Sequence, residues 1–475
     1  MHVRLSEDPD LQVLVIEAGE DVIVEPRVNA PAMNRSLLNT SSNWGLRTLP
    51  QCNQYFLFVP TSKAHVDAWT GVGNPAWSWS SFSPAAWRDT ISNLGFPVSI
   101  TPFSGQIYDA FMDPESVHPV TRLRSYAGSA YLGPARSRNN LTVWTEALVD
   151  KVIFDRNYTD VIKAVKARKE EILSAGAVHT PKILELSGVG DAEILEPLGI
   201  DVIRNNPHVG ENLQNHVYLN RTNQVVEQEG FETLDKLLQQ DPSAIAAAQE
   251  ALMKGRGPLT GANTSGSAQM PLPFFSSEDG GKELSELLEG LGAKADPGKA
   301  TAAFFLSPPT EGSGLYNTFP GYMIFGEIGD LVPHPPADER YLTFAVHLAH
   351  PLSRGLIHIT APSATSPGLE IDQYLSHPLN VEMMARHVQH VERIKRSEPL
   401  AKARAGAWHF TGTCSQLPQG MGGVVDERLR VYGCKNLQVC DLSVAPIVSR
   451  CGTQALAYGI AEHAAKIIRS DLHEQ

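Results

Sequence analysis

Short apolar runs that close on a small or acidic residue alternate along this chain with longer stretches whose apolar positions recur at helical spacing. Leu11-Gln-Val-Leu-Val-Ile16 runs into Glu17-Ala-Gly19, the pattern of a strand buried in a parallel sheet. Apolar residues alternate over 141–154, which predicts paired strands, and the chain from Lys163 to Ser174 is strand-like up to Ala175-Gly176. A helix is predicted from Thr180 to Ser187, with Thr180 as its cap and Pro181 at the first helical position. The Ala-, Gln-, Leu- and Glu-rich stretch from Glu227 to Gly255 reads as helices. Farther on, Tyr341-Leu-Thr-Phe-Ala-Val-His-Leu-Ala-His350 alternates as a sheet strand does, and Leu356-Ile-His-Ile359 follows as a second strand. A helix from Val381 to about Ser397, a short strand Leu437-Gln-Val-Cys440 ending on Asp441, and a buried helix over Ala455 to Ile468 complete the pattern. Strand–helix units and an antiparallel stretch in one chain predict an α/β fold with a second, α+β domain.

Composition changes this picture little. A chain of 475 residues with 42% hydrophobic content can bury a large core in two domains or one large one. The net charge of −13 argues against nucleic acid and anionic membrane surfaces, which select for basic patches. No apolar run approaches the roughly 18 residues of a membrane span. Five cysteines, Cys52, Cys414, Cys434, Cys440 and Cys451, lack Cys-x-x-Cys spacing and read as buried thiols. His347, His350 and His358 alternate on neighbouring strands, but with no carboxylate at ligand spacing a metal site is not expected. Gly-x-Ser-x-Gly and Gly-x-x-x-x-Gly-Lys are absent, which leaves no support for a serine hydrolase or a P-loop enzyme.

The most particular stretch is the last seventy residues: Trp408-His-Phe-Thr-Gly-Thr-Cys414, Gly422-Gly-Val-Val-Asp426, and the strand that ends on Asp441 before a Pro-containing turn and the closing helix. Such an arrangement sets backbone N–H groups and a helix N-terminus where an anionic cofactor group can rest. This tail resembles the glucose–methanol–choline (GMC) family of flavin-dependent oxidoreductases, in its fungal alcohol oxidase and dehydrogenase branch. Ser174-Ala-Gly-Ala-Val-His-Thr-Pro-Lys-Ile-Leu-Glu-Leu-Ser-Gly-Val-Gly190 looks like the family's second signature, and Val209-Gly-Glu-Asn-Leu-Gln-Asn215 like the segment that closes it. The resemblance implies an FAD-binding dinucleotide fold and a substrate domain built on an antiparallel sheet. It divides the chain into an N-terminal FAD part (1–55), a substrate-domain or lid segment (56–135), a middle FAD part (136–215), a substrate-binding domain (216–405) and a C-terminal FAD part with the catalytic histidine (406–475).

Three departures from the family pattern stand out. The ribose-binding acid of a dinucleotide unit follows its Gly-x-Gly-x-x-Gly turn by roughly 20 residues, which puts the turn that belongs to Glu17 ahead of Met1 and makes the FAD fold incomplete. Between Leu57-Phe-Val-Pro60 and Asp67, the family's Gly-Gly-Ser-Ser-type loop, which lies against the flavin, has no counterpart. Before the tail, Pro399-Leu-Ala-Lys-Ala-Arg-Ala-Gly-Ala407 stands where relatives carry a further helical stretch.

Oxidising an alcohol needs a base for the hydroxyl proton and an acceptor for the carbinol hydride; no side chain accepts hydride, so a cofactor is obligatory. Histidine suits the proton, its pKa lying near the working pH. His409 matches the family's catalytic histidine, and the resemblance assigns Glu17, Val149, Asp441, Thr453 and Gln454 to FAD. The partner position, a histidine or asparagine in the family, falls on Gly452, which has no side chain. The function implied is FAD-dependent oxidation of a small-molecule alcohol in a fungal secondary-metabolite pathway. The alternatives are a non-redox homologue that keeps His409 for acid–base work, or an inactive truncated product. The chain as it stands reads as cytoplasmic; six Asn-x-Ser/Thr sequons, at Asn34, Asn39, Asn140, Asn157, Asn220 and Asn263, suit secretion if a leader precedes it.

Overall fold

The computed structural model describes residues 1–29, 110–111, 116–118, 120–121, 123–154, 164–225, 234–254, 258–260, 266–270, 282, 286, 313–319, 321–322, 339–366, 369–371, 376–395, 413–434, 437–446 and 454–474. His409, Gly452 and Thr453 lie outside these residues, as do the departures between residues 57 and 67 and at 399–407.

Helix α1 (His2–Leu5) leads into β1 (Val13–Ile16), followed by β2 (Ala110–Phe111), β3 (Leu141–Trp144) and β4 (Glu171–Leu173). Helix α2 (Gly176–Leu186), β5 (Val189–Gly190), β6 (Arg204–Asn205) and β7 (Tyr218–Val225) come next, then α3 (Pro242–Met253), β8 (Gly266–Met270), β9 (Gly314–Phe319) and β10 (Arg340–Leu348). The remaining main elements are β11 (Ile357–Ile359), β12 (Leu369–Ile371), α4 (Pro378–Lys395), β13 (Leu437–Val439) and α5 (Gln454–Glu474). Strand β1 pairs in parallel with β3, Val13 opposite Leu141, and β13 in parallel with β4, Leu437 opposite Glu171. The other large unit is an antiparallel sheet of five strands in the order β2-β8-β9-β10-β7.

The parallel pairs and the tail share one core. Leu5 and Leu11 from the first residues meet Leu184 of α2, Leu437 and Val439 of β13, and Ile460, Ala464 and Ile468 of α5. The last three recur every fourth residue and so form one stripe of the helix. Each leucine, isoleucine or valine among them contributes about 1.5–3 kcal/mol on leaving water. One face of the β1–β3 pair, Val13, Val15, Leu141 and Val143, packs on Val3 and Ala135. On the opposite face Ile16 and Trp144 are exposed.

Local departures from the sequence pattern have identifiable causes. The alternation over 141–154 yields a strand only as far as Trp144, because Glu146 adopts a positive φ of 56° and turns the chain toward the end of β1. Its N–H donates to the carbonyl of Gly19 and that of Ala147 to Glu17, so these bonds close a loop instead of extending a ladder. Of the stretch from Lys163 to Ser174, only β4 is strand among the described residues. Helix α2 begins at Gly176, a turn ahead of the predicted Thr180 cap, which places Pro181 inside the helix. Proline has no N–H for the carbonyl four residues back, that of Ala177; the Thr413 hydroxyl donates to that oxygen instead. An intrahelical vacancy thereby becomes a tie between α2 and the tail. Asn140 is likewise committed: its side-chain amide donates to the carbonyls of Ser6, Asp8 and Leu11 at 2.8–3.1 Å. In this fold the sequon at Asn140 is a structural tether.

Candidate active site

The parallel pairs β1–β3 and β4–β13 run their carboxyl ends toward segments that the family resemblance assigns to cofactor binding. Strand β1 runs into Glu17, which is exposed; its Oε1 accepts the N–H of Gly19 at 2.7 Å. Val149, half-buried, lies two residues beyond Ala147, whose N–H bonds to the Glu17 carbonyl. Two residues past the end of β13 stands Asp441, in extended conformation, and its carboxylate accepts three hydrogen bonds. Oδ2 accepts from the Gly176 N–H at 2.9 Å and the Thr180 hydroxyl at 2.6 Å, and Oδ1 accepts from the Ser443 N–H at 2.7 Å. One acid thus joins the end of β13 to the first turn of α2, where a negative charge also suits the helix dipole. Gly176 has a φ of +84° and open space where a Cβ would stand, and Ser174 and Ala175 beside it are exposed.

The loop over 206–216 gathers the rest. Gly210 donates to the carbonyl of Thr413 at 3.1 Å and accepts from the N–H of Ile357 at 2.8 Å. A Cβ at Gly210 would stand 2.3 Å from the Ile357 oxygen, and its φ is +85°, so only glycine fits. Asn212 donates to the Ser415 hydroxyl at 2.7 Å and Gln214 to the Pro446 carbonyl at 3.0 Å. The two tail segments are bonded to each other as well, Cys414 N–H to Ser443 and Gln416 N–H to Val444, each at 2.8 Å. Thr413 follows His409 by four residues, and Pro446 precedes Thr453-Gln454. Gln454 is the first residue of α5.

The thiols here are inert. Burial, reinforced by the nearby Asp441 charge, raises Cys414 well above the ordinary thiol range; burial pushes Cys440 up to about 12. Thiolate being the nucleophile, both are unreactive at neutral pH. Burial also pushes His347 down to about 3, with His216 adding to the effect, so His347 is neutral at physiological pH. Sequence spacing offers His358 no carboxylate, but the fold brings it two, Glu185 at 2.6 Å on Nδ1 and Glu211 at 3.2 Å on Nε2.

Comparison with known proteins identifies the architecture. Two family models, both described as GMC oxidoreductase, match residues 64–218 and 351–461, together more than half of the chain. The chain belongs to the GMC oxidoreductase family. A dehydrogenase from Armillaria gallica is 28% identical to this GMC oxidoreductase, over 99% of the chain and 91% of its own length. The dehydrogenase citC of Monascus ruber is 26% identical over 98% and 93%. Versicolorin B synthase of Aspergillus parasiticus is 27% identical over 83% of the chain and 63% of its own length. The two dehydrogenase alignments run over 595 and 597 positions, beyond the 475 residues of the chain, so those relatives carry internal stretches without a counterpart here. Among solved structures, an FAD-dependent oxidoreductase from Chaetomium thermophilum superposes with a TM-score of 0.80 at 22% identity, covering 99% of this chain and 97% of the other. A fungal aryl-alcohol oxidase gives 0.75 at 21% identity, with the same coverage. The fold is that of the FAD-binding GMC enzymes, and FAD is the cofactor of this oxidoreductase. The described residues fit its dinucleotide half: an exposed acid follows β1, and the Cβ position of Gly176, past the carboxyl end of β4, faces open space, where open α/β sheets bind such ligands.

Proposed function

We propose that this GMC oxidoreductase oxidises a small-molecule alcohol to a carbonyl, with His409 as the base that takes the hydroxyl proton. FAD supplies the acceptor for the carbinol hydride. Glu17 and Val149 would hold the adenosine end of the cofactor, Asp441 would shape the turn against which it rests, and Thr453 and Gln454 would serve its flavin end. With three donors of the chain already on its carboxylate, Asp441 acts on the cofactor through the backbone it fixes. One observation carries the reading: the segment that follows His409 and the segment that precedes Thr453-Gln454 are hydrogen-bonded side by side at the carboxyl end of β13. That geometry supports a base and a cofactor ring meeting at one point. Fungal dehydrogenases among the relatives support a redox step; its setting is a tailoring reaction of secondary metabolism.

His409→Ala is expected to abolish turnover while flavin absorbance stays with the protein. Retained turnover would remove His409 from the mechanism, and loss of flavin with it would make His409 a structural residue. A second reading, acid–base chemistry at His409 without redox turnover, is favoured by Gly452, which leaves the base without the partner side chain of the family. Absence of a hydrogen-bonding group of that kind costs on the order of 10²-fold in rate. Anaerobic bleaching of bound flavin by a panel of alcohols separates the two, since only the redox reading requires it.

A further inference from the structure

We propose that His358, gripped between Glu185 and Glu211, is a positioning residue that clamps the 206–216 loop and, through it, aligns the two tail segments that flank the reacting groups. The inference rests on the proposed role of His409 for its effect on turnover alone; the clamp itself is a statement about the loop.

The geometry requires a charged ring. Nδ1 faces Oε1 of Glu185 at 2.6 Å and Nε2 faces Oε1 of Glu211 at 3.2 Å. A neutral imidazole has one N–H and could satisfy one carboxylate only, whereas the imidazolium donates from both nitrogens. Burial alone would push His358 down, yet the hydrogen bonds and charges of Glu185 and Glu211 outweigh it and raise the imidazole to about 9. Glu185 is fully buried on α2, and its Oε2 accepts the N–H of Ile359 at 2.9 Å, so it is bolted to β11 by backbone as well as by charge. Glu211, more than two-fifths exposed, comes from the loop. The charged pair therefore staples loop to sheet at the residue next to Gly210, whose bonds run to Thr413 on one side and Ile357 on the other.

Other charged groups stand on the neighbouring elements. Lys182 on α2 donates to the carbonyls of Ala364 and Ser366. Glu370 occupies the register position opposite His358 on β12. On the tail side the Glu185 charge reaches Cys414, whose thiol is already held neutral by burial. The sign of the pH dependence follows from the raised pKa: the clamp contributes fully below about 6.5, the ordinary histidine value, and is lost as pH rises through about 9.

Backbone hydrogen exchange of the full chain, corrected for intrinsic rates and followed from about pH 7 to about pH 10, tests the clamp in wild type, His358→Gln and Glu211→Gln. In wild type the amides of Gly210 and Ile357, and those of Cys414 and Gln416 in the tail, are expected to lose protection on the order of tenfold as pH passes the His358 transition. His358→Gln, uncharged throughout, should show the reduced protection already at neutral pH and no further step; Glu211→Gln should show a smaller step. The same transition in wild type and His358→Gln would overturn the proposal, as would loss confined to Gly210 and Ile357 with Cys414 and Gln416 unmoved. Since exchange reads the loop without turnover, a chain that oxidises no alcohol still decides the clamp, and failure of the redox reading stays distinguishable from failure of this one.

Discussion

The two large parts of this molecule are held together by different physics. In the five-stranded antiparallel sheet, β10 is bonded along its length to β7 on one side and to β9 on the other, so backbone ladders carry the structure. On the cofactor side, β1 with β3 and β4 with β13 form two separate pairs among the described residues. Packing and a few long-range side-chain bonds join them: Arg4 to Glu462, Asn140 to three carbonyls, Thr413 to Ala177, and Asp441 to the start of α2. A ladder spreads its energy over many bonds and tolerates the loss of one. A structure tied by single side chains concentrates it, and each tie becomes a point of failure.

Asp441→Ala strands the Gly176 and Ser443 N–H groups and the Thr180 hydroxyl. A loss of about 3 kcal/mol is expected in urea unfolding, with flavin retention lost alongside, because hydrogen bonds to a charged group contribute about 1.5–3 kcal/mol each before relaxation. A cost below about 1 kcal/mol would show that the ties are redundant. Asp235 provides the control in the antiparallel part. It is buried and accepts the N–H of Tyr322 at 2.7 Å and of Tyr341 at 2.6 Å. Asp235→Ala should cost about 2 kcal/mol and leave flavin in place, as the β10 ladders persist without it. The smallest effect belongs to Asn140→Ala, about 1 kcal/mol by thermal melting, and mass spectrometry of protein from a secreting host should find Asn140 unglycosylated in the folded fraction. Glycan on Asn140 in folded protein would refute its role as a tether.

Much of the fold is legible in the sequence because it depends on local pattern. The alternation over residues 341–350 became β10, the apolar run before Glu17 became β1, and the short strand before Asp441 became β13. The family resemblance rested on motifs just as local, and the matched family models bear it out. Pattern failed where a side chain from elsewhere overrode it. The Thr180–Pro181 pair has the form of a helix start, but Asp441 captures Thr180 and Gly176 and begins the helix a turn earlier. The alternation past Trp144 is equally strand-like, yet bonds to the Glu17–Gly19 turn bend it away.

Family, cofactor and the chemistry open to this protein are written in residue types at fixed spacings along the chain. Tertiary structure alone decided which of those residues act together. Glu185 and His358 are 173 positions apart, and Gly176 and Asp441 are 265. No periodicity links residues so distant; they meet only when packing brings their elements together, and an acid that loses water there must find donors in the chain.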